Sequence, residues 1–235
     1  MNAIESNKHY KERINSELQN TLTETSLAQG NKRTGKVRDQ YELEDKIVLI
    51  TTDRQSAFDR VLASIPFKGQ VLNLTSAWWF EQTKEIIPNQ VINIPDPNVT
   101  LAKKCNVRPI EFVVRNIATG SLTKRLGIPD GTILSKPLIE YSYKNDELGD
   151  PLVAKEHIIE FNWSSEKELE LINSYCFRIN DFMQGMFRGV GIKLIDFKLE
   201  FGRTTIDGQK EILLADEISP DTCRLWDVVS EKKTR

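Results

Sequence analysis

The chain has 235 residues, 39% of them hydrophobic and 28% charged, which is ordinary for a globular protein and enough for one large domain or two lobes. Its net charge of −2 supplies no global field toward nucleic acid or an anionic membrane, so neither is an expected partner and any basic site is local. No apolar run reaches membrane-spanning length, and the N-terminal residues are polar and mixed in charge, unlike a secretory leader. Two histidines (His9 and His157) and three widely spaced cysteines (Cys105, Cys176 and Cys223) argue against a histidine-based zinc site, a histidine-driven triad or a disulfide framework. The expected compartment is a reducing cytoplasm, and the chemistry falls to carboxylates, lysines and arginines.

In chain order, residues 8–29 place Ile14, Leu18, Leu22 and Leu27 at near-helical spacing and predict a short amphipathic helix followed by a loop. Residues 35–43 (GKVRDQYEL) and 46–52 (KIVLITT) predict two antiparallel strands joined by a turn at Glu44 and Asp45. Residues 53–69 predict a long loop, and 70–86 a helix in which Trp78 and Trp79 are core anchors. Short strands follow around 90–94, 99–104 and 108–115, then a short helix in GSLTKRLG. Residues 166–189 predict a long helix with an apolar stripe of Leu169, Ile172, Cys176, Ile179, Phe182, Met183, Met186 and Phe187.

Residues 196–202 then read DFKLEFG, a strict alternation. A strand here turns Phe197, Leu199 and Phe201 to one face and Asp196, Lys198 and Glu200 to the other. That charged row is either a solvated surface or the floor of a site. A partner strand is predicted over 210–216 (KEILLAD), joined through Asp207 and Gly208, a strong hairpin signal. A two-residue turn pairs Glu200 with Ala215, whereas a bulge or longer loop pairs Glu200 with Asp216; both registers are open. The order of elements predicts an α+β protein of two lobes divided near residue 105.

Four clusters carry charge. GNKRTGKV (30–37) nearly spells a phosphate loop, but Val37 lacks the magnesium-binding hydroxyl and a strand, not a helix, is expected next. A Gly-Lys opening a strand can still lay backbone and ammonium over phosphates, as kinase-like hairpins do, so Lys36 is either a phosphate contact or a surface lysine. RNIATGSLTKR (115–125) ends a strand and starts a helix at Gly120 and Ser121, with Ser121 as its cap and Arg115, Lys124 and Arg125 adding positive charge, an arrangement suited to phosphate or carboxylate. LADEISPDTCRLWD (214–227) crowds Asp216, Glu217 and Asp221 at a strand end ahead of Arg224; like charges so close repel unless water or a cation such as Mg²⁺ separates them, so the stretch is either a polar loop or a metal site. TTDRQSAFD (51–59) puts Asp53, Arg54, Ser56 and Asp59 after a buried strand, where ligand contacts are common.

Five of these stretches, GKVRDQYEL, TTDRQSAFD, RNIATGSLTKRLG, DFKLEFG and DEISPDTCRLWD, closely resemble the signature segments of the SAICAR synthetase (phosphoribosylaminoimidazole-succinocarboxamide synthase) family, in that family's order, over about residues 22–229. The resemblance implies an α+β fold of two lobes with antiparallel sheets, related to ATP-grasp and kinase-like folds, with ATP held between the lobes. The lobes become an N-terminal arm (1–21), a nucleotide-binding lobe (22–105) and a lobe with the substrate and metal site (106–235). It implies a ligase of purine biosynthesis that joins L-aspartate to the carboxylate of carboxyaminoimidazole ribonucleotide (CAIR), using ATP and Mg²⁺. Lys36 and Arg38 are implied at the ATP phosphates, and the backbone from Lys104 to Val107 at the adenine. Glu200 and Asp216 are implied as Mg²⁺ ligands, which requires the bulged register. Arg115, Ser121 and Arg224 are implied at the ribonucleotide 5′-phosphate, and Lys198 at the CAIR carboxylate. Asp196 and Asp221 are implied near the ribose or amine, with Asp196 and Lys198 as catalytic residues. Lys144 and Asp150 belong to a further family-like segment near CAIR or aspartate. The expected assembly is a homo-oligomer, a dimer. The kinase signatures H-R-D and D-F-G are missing from the sequence, since Lys follows Asp196 and Phe197.

Overall fold

Backbone hydrogen bonding sorts the strands into antiparallel systems, distributed over two units in the computed structural model, which describes residues 3–57, 60–206, 208–230 and 233–234. The first unit takes Met1–Trp78 and Val91–Lys104; the second takes Trp79–Gln90 and Cys105–Arg235. Residues 79–90, which the sequence reading puts in the N-terminal lobe, therefore pack with the second unit.

The first unit contains α1 (Ala3–Ser16), β1 (Asn31–Thr34), β2 (Arg38–Glu42), β3 (Lys46–Thr51), β4 (Arg54–Ala57), β5 (Arg60–Ser64), the start of α2 (Lys68–Thr83), β6 (Val91–Asp96) and β7 (Val99–Lys103). Its five-stranded sheet runs β1-β2-β3-β7-β6. The β2–β3 hairpin turns where Glu44 and Asp45 predict it, with Glu42 opposite Ile47. Three expectations are corrected. The strand predicted from residue 35 begins at Arg38, because Gly35 donates its amide to the Arg38 carbonyl and makes residues 35–37 the turn of a β1–β2 hairpin. The predicted 53–69 loop contains the β4–β5 hairpin, whose second strand is largely exposed and so shows no apolar period. The N-terminal helix stops at Ser16, and the leucines beyond it continue a spacing that packing does not use: Leu18 and Leu27 are exposed. Residues 21–25 are held by polar bonds, among them Leu22 to Asp53 in both directions, and such bonds leave no periodicity to read. Asp59 and Asp207 lie outside the described residues.

The second unit adds β8 (Asn106–Val107), β9 (Ile110–Ala118), α3 (Ser121–Leu126), β10 (Thr132–Tyr143), β11 (Leu152–Val153), α4 (Lys155–Glu160), α5 (Glu166–Gly189), β12 (Ile192–Ile206), β13 (Gln209–Ala215), β14 (Cys223–Asp227) and β15 (Lys233–Thr234). The sheet runs β11-β10-β9-β12-β14-β15, with β8 and β13 also paired to β12. Strand β12 is the spine. One edge meets β9 and then β8; the other meets β14 up to Phe197 and β13 from Glu200 onward.

Helix α5 covers one face of this sheet. Ser165 caps it by accepting the Glu168 amide, and Leu169, Ile172, Cys176, Ile179 and Met183 are fully buried. Beneath lie Phe197, Leu199 and Phe201, as the alternation requires, with Phe112 packed edge-on against Phe201 at 5.1 Å between ring centroids. A reciprocal amide pair, Asn116 with Asn180, ties β9 to α5 inside this apolar layer. The predicted stripe overreaches at Met186, which is exposed, and only one of the two tryptophans is an anchor: Trp79 is buried against Phe182 and Phe187, while Trp78 is about half exposed. No helix among the described residues is long and apolar enough to cross a membrane.

Gly202 is where β12 admits β8. A Cβ there would stand 2.4 Å from Cys105 Sγ and 3.0 Å from Cys105 Cβ. Gly202→Ala is expected to destabilise the protein by about 1–3 kcal/mol in urea unfolding, and adding Cys105→Ala, which removes the nearer clash, is expected to recover more than half of that loss.

Candidate active site

The face of the second sheet opposite α5 carries the charged row of β12. Cross-strand register puts Asp196 opposite Arg115 of β9 on one side and Arg224 of β14 on the other. Directly opposed residues meet, and one oxygen, Asp196 Oδ2, accepts from Arg115 Nη1 and from Arg224 Nη1, each at 2.6 Å. Arg115 also donates through Nη2 to Ser121 Oγ at 3.2 Å and through Nε to Glu140 on β10, whose other oxygen takes Arg125. Gly120 adopts φ +60° and lies over Arg224, where a Cβ would come within 3.1 Å of Nη2. The structure thus brings together Arg115, Ser121, Asp196 and Arg224. Ser121 departs from its expected role: Gly120 occupies the cap position of α3, no side chain caps that helix, and the Ser121 hydroxyl serves Arg115 instead.

Farther along β12, Lys198 Nζ donates to Glu111 Oε1 at 2.6 Å, and Glu200 Oε2 accepts from Lys144 Nζ at 2.5 Å. Strands β13 and β14 part company along β12 beside Lys198, whose amide donates to the Thr222 carbonyl. Burial disfavours the Lys198 ammonium, but Glu111, then Asp216 and Glu200, outweigh it and hold its pKa above the ordinary lysine value. Glu200 is buried; that burial and then the Asp216 charge push its carboxyl up to about 7, against the pull of Lys144 and Lys198.

The hairpin register is the two-residue one: Glu200 stands opposite Ala215, and Ile206 opposite Gln209. The bulged pairing of Glu200 with Asp216 is therefore corrected. The two carboxylates still share a field because Asp216 leaves the strand in a left-handed conformation, φ +58°, which ends the alternation that would send its side chain to the other face. Asp and Asn tolerate this region better than most residues.

Other expected residues lie outside the β12 row. Asp221 is exposed on the loop after β13. Asp150, at φ +48°, accepts the Asn145 amide and clasps the loop that follows Lys144, so its carboxylate has a local structural task. Val107 is on β8 and exposed. Lys104 ends the first unit and pairs with Glu42. Glu111 and Glu140 were missed; Glu111 lies on β9, beside β12, and Glu140 on β10, one strand farther out, and their partnership with Lys198 and Arg115 depends on a pairing register that no local pattern announces.

In the first unit, Lys36 lies in the β1–β2 turn and Arg38 opens β2. Arg54 fastens that turn from below. It donates to the carbonyls of Gly35, Lys36 and Thr23, and through Nη2 to Asp39 Oδ1 at 2.7 Å. Arg38 in turn donates to Thr51, within a buried network of Thr51, Asn73 and Thr100. Asp39 is fully buried; burial raises its pKa, but hydrogen bonds from Arg54, Thr25 and Lys32 more than offset that and leave it lowered. Arg54→Met leaves this carboxylate only Thr25 and the half-exposed Lys32 and is expected to cost about 3 kcal/mol in urea unfolding. A lowered folded pKa contributes stability that is complete above the unfolded value, about pH 4, and is lost as pH falls through the folded value. Asp39→Asn is therefore expected to flatten the acid limb of a stability–pH curve measured by urea unfolding.

Cations and carboxylates interleaved this closely suit an enzyme that brings several anions together, the task of an ATP-dependent ligase. The family model for SAICAR synthetase matches residues 31–235. The phosphoribosylaminoimidazole-succinocarboxamide synthase of Pelagibacter ubique (strain HTCC1062) is 51% identical over 203 residues, covering 85% of this chain and 78% of that protein. The crystal structure of the Ehrlichia chaffeensis synthase superposes with a TM-score of 0.81 at 40% identity, over 86% of this chain and 88% of that one. A type-2 SAICAR synthetase in complex with ADP superposes at 0.80 with 35% identity, over 86% and 87%. The chain belongs to the SAICAR synthetase family. It is an ATP-dependent carbon–nitrogen ligase of purine biosynthesis that joins L-aspartate to CAIR.

Proposed function

We propose that the ligation runs through an acyl phosphate of CAIR and that the polar face of β12 is the floor on which it forms. The observation that carries this reading is the row Asp196, Lys198, Glu200, buried or half-buried yet entirely charged, flanked by Arg115, Arg224, Lys144 and Glu111. A carboxylate resists nucleophiles because of its charge. Moving the γ-phosphoryl group onto it creates a leaving group; the aspartate amine then attacks the carbonyl carbon and phosphate departs.

Arg115, Ser121 and Arg224 receive the 5′-phosphate of CAIR, for which forked guanidiniums are suited. Lys198 faces the CAIR carboxylate as a fixed positive charge; its raised pKa keeps it protonated, which suits charge stabilisation and not proton abstraction. Asp196, 3% exposed and bound by two guanidiniums, is given a positioning role in place of the catalytic one. Lys144 and Asp221 line the CAIR side. Lys36 and Arg38 reach the ATP phosphates, with the backbone of residues 104–107 at the adenine. Glu200 and Asp216 fit Mg²⁺: one is buried and raised in pKa by the other's charge, a donor set that a divalent cation relieves. When bound there, Mg²⁺ would neutralise charge on the transferring phosphoryl group. The compartment we assign is the reducing cytoplasm, in keeping with the free thiols Cys105, Cys176 and Cys223, and the assembly a homodimer.

ADP release is expected to require both CAIR and aspartate. CAIR carrying ¹⁸O in its carboxylate should pass label to the released phosphate; unlabelled phosphate alongside amide product rejects the acyl phosphate. Arg224→Ala should raise the KM for CAIR at least about tenfold and leave that for ATP within about twofold. Asp216→Asn should shift the magnesium requirement upward, and an unchanged magnesium curve rejects that ligand.

A further inference from the structure

We infer that Glu140 is a positioning residue of the ribonucleotide-phosphate grip, fixing the guanidinium plane of Arg115 so that its fork meets the phosphate; this rests on the proposed role of Arg115 and Arg224. Glu140 belongs to none of the motifs that point to the family. Leu138 of β10 lies opposite Arg115, and Glu140 opposite Val113, one step farther along the same face. From there Oε2 takes Arg115 Nε and Oε1 takes Arg125 Nη2, each at 2.5 Å. Every nitrogen of the Arg115 guanidinium then has a different partner: Glu140 at Nε, Asp196 at Nη1 and Ser121 at Nη2. Three contacts from three elements leave the planar group no rotation about its axis. Burial disfavours the Glu140 carboxylate, but Arg125 and Arg115 outweigh it and lower its pKa, so the tether stays charged across the neutral range.

Charge and geometry make opposite predictions for Glu140→Gln. The substitution deletes a negative charge near an anion, so Coulomb attraction alone tightens CAIR binding. Positioning predicts the reverse, because Arg115 loses its charged anchor at Nε. The expected result is a KM for CAIR raised about tenfold, with the KM for ATP and kcat at saturating CAIR each within about twofold of wild type. Arg125→Ala, which leaves the Arg115 tether in place, should change the KM for CAIR less than about threefold. Should Glu140→Gln melt near assay temperature, Glu140→Asp carries the test, since it keeps the charge in the interior but draws it back from Nε; the same rise is expected. A KM for CAIR at or below wild type in the Glu140 variants, with Arg224→Ala impaired, overturns the inference and leaves the phosphate reading standing. An Arg224→Ala enzyme with unchanged KM for CAIR overturns both.

Discussion

Strand β12 has to satisfy two environments at once. Its apolar residues lie under α5, in a layer closed by Phe112, Phe201 and the helix's own buried stripe. A pleated strand cannot bury one alternate set without presenting the other, so Asp196, Lys198 and Glu200 are committed to the opposite face by the same packing that holds the sheet together. Neighbouring strands are then constrained in turn. Arg115 and Arg224 neutralise Asp196, Glu111 answers Lys198, and Lys144 answers Glu200. The chemistry of the site and the stability of the unit are thus two readings of one alternation.

Pairing does not balance every carboxylate equally. Glu200 is left with a proton affinity well above that of an ordinary carboxylate, because Asp216 adds a second negative charge to a place already short of water. In the first unit the arrangement is the opposite: Asp39 is surrounded by donors, and the result is a rigid support under the turn that carries Lys36. One carboxylate completes the fold; the other, even with Lys144 beside it, keeps a raised proton affinity.

Much of this was legible in the sequence wherever a local period or a turn chemistry carried it. The apolar face of β12, the α5 stripe from Leu169 to Met183 and the turn at Glu44 and Asp45 are of that kind. Charged motifs pointed to Arg115, Ser121 and Arg224 before any geometry was known. What stayed hidden depended on register or on long-range polar contact. Glu111 and Glu140 reach their partners only once β9, β10 and β12 are aligned. Strands β1 and β5 are largely exposed and so have no apolar rhythm. The choice between Glu200 opposite Ala215 and Glu200 opposite Asp216 hung on the length of the turn, and what still brings the two carboxylates into one field is a single backbone angle at Asp216, which alternation cannot encode.

That angle has a consequence for how the hairpin can vary. Because Asp216 turns after the last strand residue, the carboxylate pair is set at the base of the β12–β13 arm and depends on the tip only through the register that the turn imposes. Residues beyond Thr204 can be added or removed in facing couples, one from each strand, without disturbing the pairing of Glu200 with Ala215. A single-residue change breaks that symmetry, and unless a longer turn or a bulge absorbs it, the side chains of β13 slide to the wrong face. Length variation in this arm across lineages should therefore come in even numbers, with the base invariant and the tip a place where foreign sequence is accepted.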